Sequence, residues 1–362
     1  MTGSPRNCRI ADTVAAVVFT LVISFPMVSL LLQRDLAIAA FPIPESLAEL
    51  PDYHKELKRY FAASMNVRRR FAGVHSRLKL AMNGPSKVGG VTVGKDGWLY
   101  LDWMLKGRDF RIQAPLSHES LVRSRAHYEK LERECRQRNL RYLLVLIPTK
   151  QAVYPEFLPD ALHDRIGSDS KVENMFRFLN AKSTTIKPLN LLPVLRESKV
   201  HGPVYFQTDT HWTSLGGFVA SQAINEQLRR VFPDLPKLSL ADVSTVTNFV
   251  HGGNEADILG RRELVQEQDV RVRYQDGSEV TLRDGRPVKL PLINVRKGGD
   301  TIETVSPDGQ IGSAVIFHNS FGYALIKHLG RSFKSARWVW GNFSTEQLRN
   351  TGADVVIDLN TL

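Results

Sequence analysis

Three runs constrain the fold of this chain most: Tyr142-Leu-Leu-Val-Leu-Ile147, Ala314-Val-Ile-Phe317 and Asp354-Val-Val-Ile-Asp358. Their apolar residues follow one another without alternation, so each run must hide both of its faces. Strands of that kind belong to a mostly parallel sheet with helices packed on either side. The intervening text agrees. Ser117 can cap a helix reaching about Arg138, with Glu119 in its first turn, and residues 215–231 read as another helix. A helix after Ser320, the strand Arg337-Trp-Val-Trp340 and a short helix near residues 345–350 continue the alternation. The expected fold class is therefore α/β, and the composition, 43% hydrophobic and 23% charged, suits a packed globular core.

Two regions fall outside this rhythm. Residues 13–33 carry no charge and are long enough to cross a bilayer as a helix, and Arg6 and Arg9 precede them. The expectation is a cytoplasmic tail over 1–10, an uncleaved transmembrane signal anchor over 11–33 and everything beyond on the far side of the membrane. A cleaved signal peptide ending near Ala37-Ile-Ala39 is the alternative. A linker with Phe41-Pro-Ile-Pro44 and a helical region carrying Leu57, Tyr60, Phe61, Phe71 and Leu78 fill 34–85, leaving 86–362 as the main domain. Within it, Gly94-Lys-Asp-Gly97 joins two short strands. Asp276-Gly277, Asp284-Gly285 and Asp308-Gly309 separate Val/Thr/Ile-rich runs, which read as a β-hairpin insertion over about 264–310.

The charge balance narrows the partners. The net charge is +11, yet Lys and Arg are scattered except for Arg68-Arg-Arg70, which fits nucleic acid poorly. A diffusely basic surface suits an anionic polymer or an anionic membrane face. Cys8 and Cys135 fall on opposite sides of the expected membrane, so no disulfide is expected. No Cys/His/Asp cluster has metal-ligand spacing, and neither metal nor cofactor is expected.

The chemistry concentrates at Asp209-Thr-His211-Trp212 and at Ser320, just beyond a strand. A serine hydroxyl is a poor nucleophile until a base takes its proton. His211 can be that base, and Asp209, two residues away, can hold the imidazole in the correct tautomer and stabilise its charged form. Unpaired N–H groups of the following helix can receive an oxyanion. Together these are the parts of an acyl-transfer site. Each also has a plainer reading: Asp209 as cap of the helix beginning near Leu215, and Ser320 as a helix cap. Lys150 and Tyr154, after a strand end, can contact a sugar or carboxylate, or be a solvated lysine and a packed tyrosine. Trp212 can stack on a sugar or anchor its loop. Asn254 and Asp257 suit a turn, and His251 and His318 have no evident partner.

The text around these residues resembles the alginate O-acetyltransferase family, the AlgJ/AlgX-like branch of the SGNH hydrolase superfamily. The resemblance rests on Gly94-Lys-Asp-Gly-Trp-Leu-Tyr100, Ile147-Pro-Thr-Lys-Gln-Ala-Val-Tyr154, Thr208-Asp-Thr-His-Trp212, Gly252-Gly-Asn-Glu-Ala-Asp-Ile-Leu-Gly260 and Phe317-His-Asn-Ser-Phe-Gly322. It implies an SGNH hydrolase-like three-layer sandwich with Ser320 as nucleophile, His211 as base and Asp209 as its orienter. It also implies O-acetylation of an exported polysaccharide at the periplasmic side of a bacterial inner membrane, with a multi-pass membrane-bound O-acyltransferase supplying acetyl. The family commonly has Asp before the serine; this chain has Asn319, which is also a candidate substrate contact. A carbohydrate esterase and a non-catalytic polysaccharide-binding subunit are the alternative functions.

Overall fold

The computed structural model describes residues 89–105, 115–165, 170–275, 280–288, 301–349 and 351–362, all within the unit Lys79–Leu362. The expected tail, anchor, and linker and helical region lie outside the described residues, as does the Asp276-Gly277 turn. Among the described residues no helix is long and apolar enough to cross a membrane.

The three apolar runs lie side by side. They are β3 (Arg141–Ile147), β9 (Ile311–His318) and β11 (Val355–Thr361), joined by β4 (Leu189–Asn190), β7 (Thr281–Leu282), β8 (Thr301–Val305) and β10 (Phe333–Trp340). The sheet order is β4-β3-β11-β9-β10-β8-β7. From β4 to β10 every pairing is parallel, and β8 and β7 add an antiparallel edge. Along β9 the side chains divide by parity, as a two-faced strand requires. Ala314 and Ile316 join the main core with Trp338 and Ile357, whereas Val315 and Phe317 form a second cluster with Val356 and Cys135. Cys135 comes from helix α1 (His118–Arg136), which Ser117 caps by accepting the Ser120 N–H. On the opposite side, α3 (Ser214–Arg229) and α5 (Gly322–Leu329) pack against each other. Gly217 allows their close approach, since a Cβ there would lie 3.0 Å from the Ala324 carbonyl oxygen. Helix α2 (Lys171–Lys182) starts with a Ser170–Glu173 capping box. The hairpin expected at residues 94–97 is present, pairing β1 (Val91–Val93) with β2 (Leu99–Leu101).

The insertion expected over about 264–310 is not one unit. Its first strand, β6 (Gln266–Tyr274), pairs along its length with β5 (Val243–His251), which lies upstream of the expected boundary. Only Val243 of β5 is buried, so the strand carries no apolar run to mark it. β7 and β8 instead extend the main sheet. Asp308-Gly309 does not close a hairpin either, because β10 lies between β8 and β9. The turn crosses the start of β10, where Ser306 N–H donates to the Lys334 carbonyl at 3.2 Å. Any Cβ on Gly309 would collide with the Phe333 and Lys334 backbone. The dipeptide marks a reversal of direction; it does not say which strand receives the bonds.

Candidate active site

Two segments meet at the carboxyl end of the parallel sheet, where open α/β folds place their ligand sites. The first, residues 205–212, is a pinched loop closed by a Tyr205–Trp212 bridge and by the Phe206 N–H bonding the His211 carbonyl at 3.1 Å. Thr213 then caps α3 by accepting the Gly216 N–H, so the capping role considered for Asp209 at that helix falls to a neighbour. The second segment is the turn at Asn319 and Ser320, between β9 and α5.

The loop brings His211 Nδ1 to 2.6 Å from Asp209 Oδ1, and His211 Nε2 lies 2.7 Å from Ser320 Oγ. Asp209 Oδ1 also accepts the His211 N–H at 3.0 Å, and Oδ2 accepts the Asn254 N–H at 2.8 Å. Asp209 thus receives an N–H from the start of α4 (Asn254–Ile258). Burial pushes the Asp209 carboxyl upward, but the hydrogen bond and charge of His211, with the two backbone donors, outweigh it and hold it at about 2. An ionised Asp209 requires Nδ1 to donate. Nε2 is then free to take the Ser320 proton, which is the arrangement a general base needs.

Neighbouring side chains tie the two segments together. Trp212 Nε1 donates to the Phe321 carbonyl at 3.1 Å, and their rings meet edge to face at 5.2 Å. The His211 ring lies 5.0 Å from Phe321. Residues adjacent to the base and to the nucleophile are therefore bonded to each other. Asn319 organises the serine turn: Oδ1 accepts the Phe321 N–H at 3.1 Å and Nδ2 donates to Thr361 Oγ1 at 2.9 Å. The Gly322 N–H is taken by the Asn319 carbonyl at 3.0 Å. Two donors expected to be open at the start of the helix are thus engaged. The N–H of Ser320 itself has no partner among the described residues.

The remaining sequence-expected contacts fall elsewhere. Lys150, Tyr154 and Trp212 are all buried, so Tyr154 and Trp212 take the packed alternative, while Lys150 is neither an exposed substrate contact nor the solvated lysine considered for it. Tyr154 accepts the Val204 N–H through its hydroxyl at 3.0 Å and packs against Trp98. Lys150 pairs with Glu255 beneath the Asp209 loop. His318 is buried, its Nδ1 2.7 Å from the Asn319 carbonyl, and burial lowers its pKa. His251 lies 3.6 Å from Glu263.

The supports of Asp209 are not legible as such in the sequence. Gly253 lies so close that a Cβ there would reach 2.5 Å from Oδ2. Glu267 accepts both the Thr208 N–H at 2.8 Å and its hydroxyl at 2.6 Å. Burial pushes Glu255 up to about 7 against the opposing charge of Lys150. The Gly252-Gly-Asn-Glu motif was the available signal for two of these. Glu267, in a strand with exposed neighbours, offered none.

The family described as SGNH hydrolase-like domain, acetyltransferase AlgX, matches residues 91–281, just over half of the chain. The span contains Asp209 and His211 and stops short of Ser320. The probable alginate O-acetylase AlgJ of Pseudomonas aeruginosa is 35% identical over 145 residues, covering 39% of this chain and 33% of that protein. Its Pseudomonas putida counterpart is 28% identical over 180 residues, covering 49% and 43%. The chain thus spans less than half the length of these relatives. Among solved structures, Bacillus cereus PatB1 with a sulfonyl adduct matches with a TM-score of 0.55 at 16% identity, covering 75% of this chain and 95% of that one. A DHHW family protein from Eubacterium siraeum matches with a TM-score of 0.51 at 15% identity, covering 76% and 91%. At these identities the likeness is one of fold.

Proposed function

Because the chain belongs to the SGNH hydrolase-like acetyltransferase family typified by AlgX, we propose that it is an O-acetyltransferase acting on hydroxyls of an exported polysaccharide through an acetyl-Ser320 intermediate. The observation that carries this reading is the continuous relay from Asp209 through His211 to Ser320, at 2.6 and 2.7 Å. Ser320 Oγ attacks the acetyl carbonyl while its proton passes to His211 Nε2. The departing group takes that proton as the carbonyl reforms, leaving the serine ester. A sugar hydroxyl then attacks the ester, gives its proton to His211, and Ser320 recovers it as it leaves. Asp209 stays ionised throughout and stabilises the imidazolium. The Ser320 N–H is the donor we assign to the carbonyl oxygen.

The name of the AlgJ relatives supports alginate, or a similar acidic exopolysaccharide, as acceptor, and the net charge of +11 suits such a polymer. We further assign residues 11–33 to a signal anchor that leaves the catalytic unit in the periplasm, with a multi-pass membrane-bound O-acyltransferase passing acetyl to it. Turnover of an activated acetyl ester, with and without oligosaccharide, tests the reading. Wild-type turnover accelerated by oligosaccharide, absent in Ser320→Ala, is the expected result. Turnover indifferent to any sugar would leave an esterase, and none at all would leave a binding subunit.

A further inference from the structure

Two motif-bearing segments, residues 147–154 and 252–260, meet beneath the Asp209 loop through side chains that the acyl-transfer chemistry does not use. Lys150 opens the single helical turn after β3, and Glu255 lies in α4. Their side chains are 1% and 0% exposed and form an ion pair. The same ammonium donates to the carbonyl oxygens of Asp209 at 2.9 Å and Gln207 at 3.3 Å. An ammonium has three hydrogens, and all three are engaged, two of them on the backbone either side of Thr208.

A buried ion pair is a poor way to stabilise a fold, because desolvation offsets most of the attraction. This pair does something more specific. Its cation is bonded to the main chain near the tip of a loop whose own backbone pairing lies at its base, between Tyr205 and Trp212 and between Phe206 and His211. Further supports come from the start of α4. The Thr208 carbonyl accepts the Glu255 N–H at 3.1 Å, and the Thr208 hydroxyl accepts the Gly253 N–H at 2.9 Å. Asn254, next to Glu255, donates its N–H to the Asp209 carboxylate. The start of α4 therefore fixes Asp209 at both ends: the carbonyl through Glu255 and Lys150, the carboxylate through the Asn254 backbone.

We propose that Lys150 and Glu255 are positioning residues for acyl transfer, a buried brace that sets the main chain of Asp209 so that its carboxylate meets His211 Nδ1. The effect on turnover rests on the serine mechanism proposed above; the effect on the Asp209–His211 hydrogen bond does not.

The decisive variant is Lys150→Met/Glu255→Leu in the full chain. Lys150→Met alone leaves a buried carboxylate without its cation and is expected to melt well below the wild type; the double variant is expected to recover part of that loss. Two readouts follow on each protein: kcat and KM for p-nitrophenyl acetate, and the downfield NMR resonance of the His211 Nδ1 proton, assigned by its disappearance in His211→Gln. The brace predicts that the double variant loses about tenfold or more in kcat with KM little changed, and that the resonance moves upfield or broadens. Glu255→Gln keeps an acceptor oxygen in the same place. It is expected to melt below the wild type, because the ammonium loses its counter-charge, but in the folded protein to retain the resonance and to keep kcat within about threefold. A double variant with wild-type kcat and an unmoved resonance would reduce the pair to a contributor to stability and overturn the proposal. So would Glu255→Gln losing as much as the double variant, since the charge and not the brace would then matter. If the wild type does not turn over the ester, the acyl-transfer reading falls and the resonance alone decides: its disturbance upholds the brace, its persistence refutes it.

Discussion

Gly253→Ala isolates the placement of Asp209 from every other property of the site. The backbone there, at φ −83° and ψ −157°, is one that any residue adopts, so the added methyl brings no dihedral strain. It brings a collision. A Cβ would lie 2.5 Å from Asp209 Oδ2 and 2.7 Å from Cγ, and nearer still to the Asp209 Cβ, where ordinary contact begins at 3.4 Å. The carboxylate must therefore retreat by roughly 1 Å, and misplacement of about that size costs on the order of a hundredfold in rate. The 2.6 Å bond to His211 Nδ1 cannot absorb such a shift and remain a strong hydrogen bond. The expected loss in kcat is about a hundredfold, or about 2.7 kcal/mol of barrier, which sits below the roughly ten-thousandfold loss that changing an orienting aspartate can cause. The assay is turnover of p-nitrophenyl acetate, with the labelling rate of Ser320 by a fluorophosphonate as an independent measure. Gly285→Ala is the control: φ is +84° there and nothing lies within 4 Å of the new methyl. It should cost about 1 kcal/mol of stability without altering kcat. Gly253→Ala with kcat within about threefold of wild type would refute the claim that this glycine exists to seat Asp209.

Three further outcomes follow. Asn319→Asp keeps the acceptor for the Phe321 N–H and lets the Thr361 hydroxyl turn to donate, so kcat should stay within about tenfold; a larger change in ester turnover would show that the amide acts on the substrate. Trp212→Phe removes the indole bond to the Phe321 carbonyl and part of a buried ring. It should cost about 2 kcal/mol in denaturant unfolding and lower kcat more than it raises KM. Burial, followed by Lys327 and Arg331, lowers the pKa of His328 to about 3. Unfolded chains protonate this histidine below its ordinary value while the folded protein does not, so stability is lost as pH falls from about 6.5 to about 3, at about 1.4 kcal/mol per pH unit. His328→Leu should flatten that acid limb in melts recorded across the range.

What the sequence disclosed depended on the range of each interaction. β3, β9 and β11 were legible because burial on both faces is written into consecutive residues. Asp209 and His211 were legible because they lie two apart on one loop, and Ser320 because a strand, a turn and a helix surround it. The role of Trp212 was undecidable locally, since its partner Phe321 lies 109 residues away. Lys150 read as a candidate substrate contact or a solvated lysine for the same reason: what buries it is Glu255, 105 residues on. β5 escaped notice because its partner β6 supplies its hydrogen bonds while its own side chains remain largely exposed. The Asp308-Gly309 turn misled because β10, which separates its two strands, comes later in the chain.

The place of β11 also governs how the serine turn is held. β11 follows β3 and β9 in the chain yet lies between them in the sheet, and 216 residues separate the bonded side chains of Tyr142 and Asp358. Without it, the edges of β3 and β9 have no common partner, and the Asn319 amide lacks the Thr361 hydroxyl that steadies the serine turn. The serine turn is thus steadied by a strand that carries none of the reacting groups, and damage to the end of β11 reaches Ser320 through the Asn319 amide.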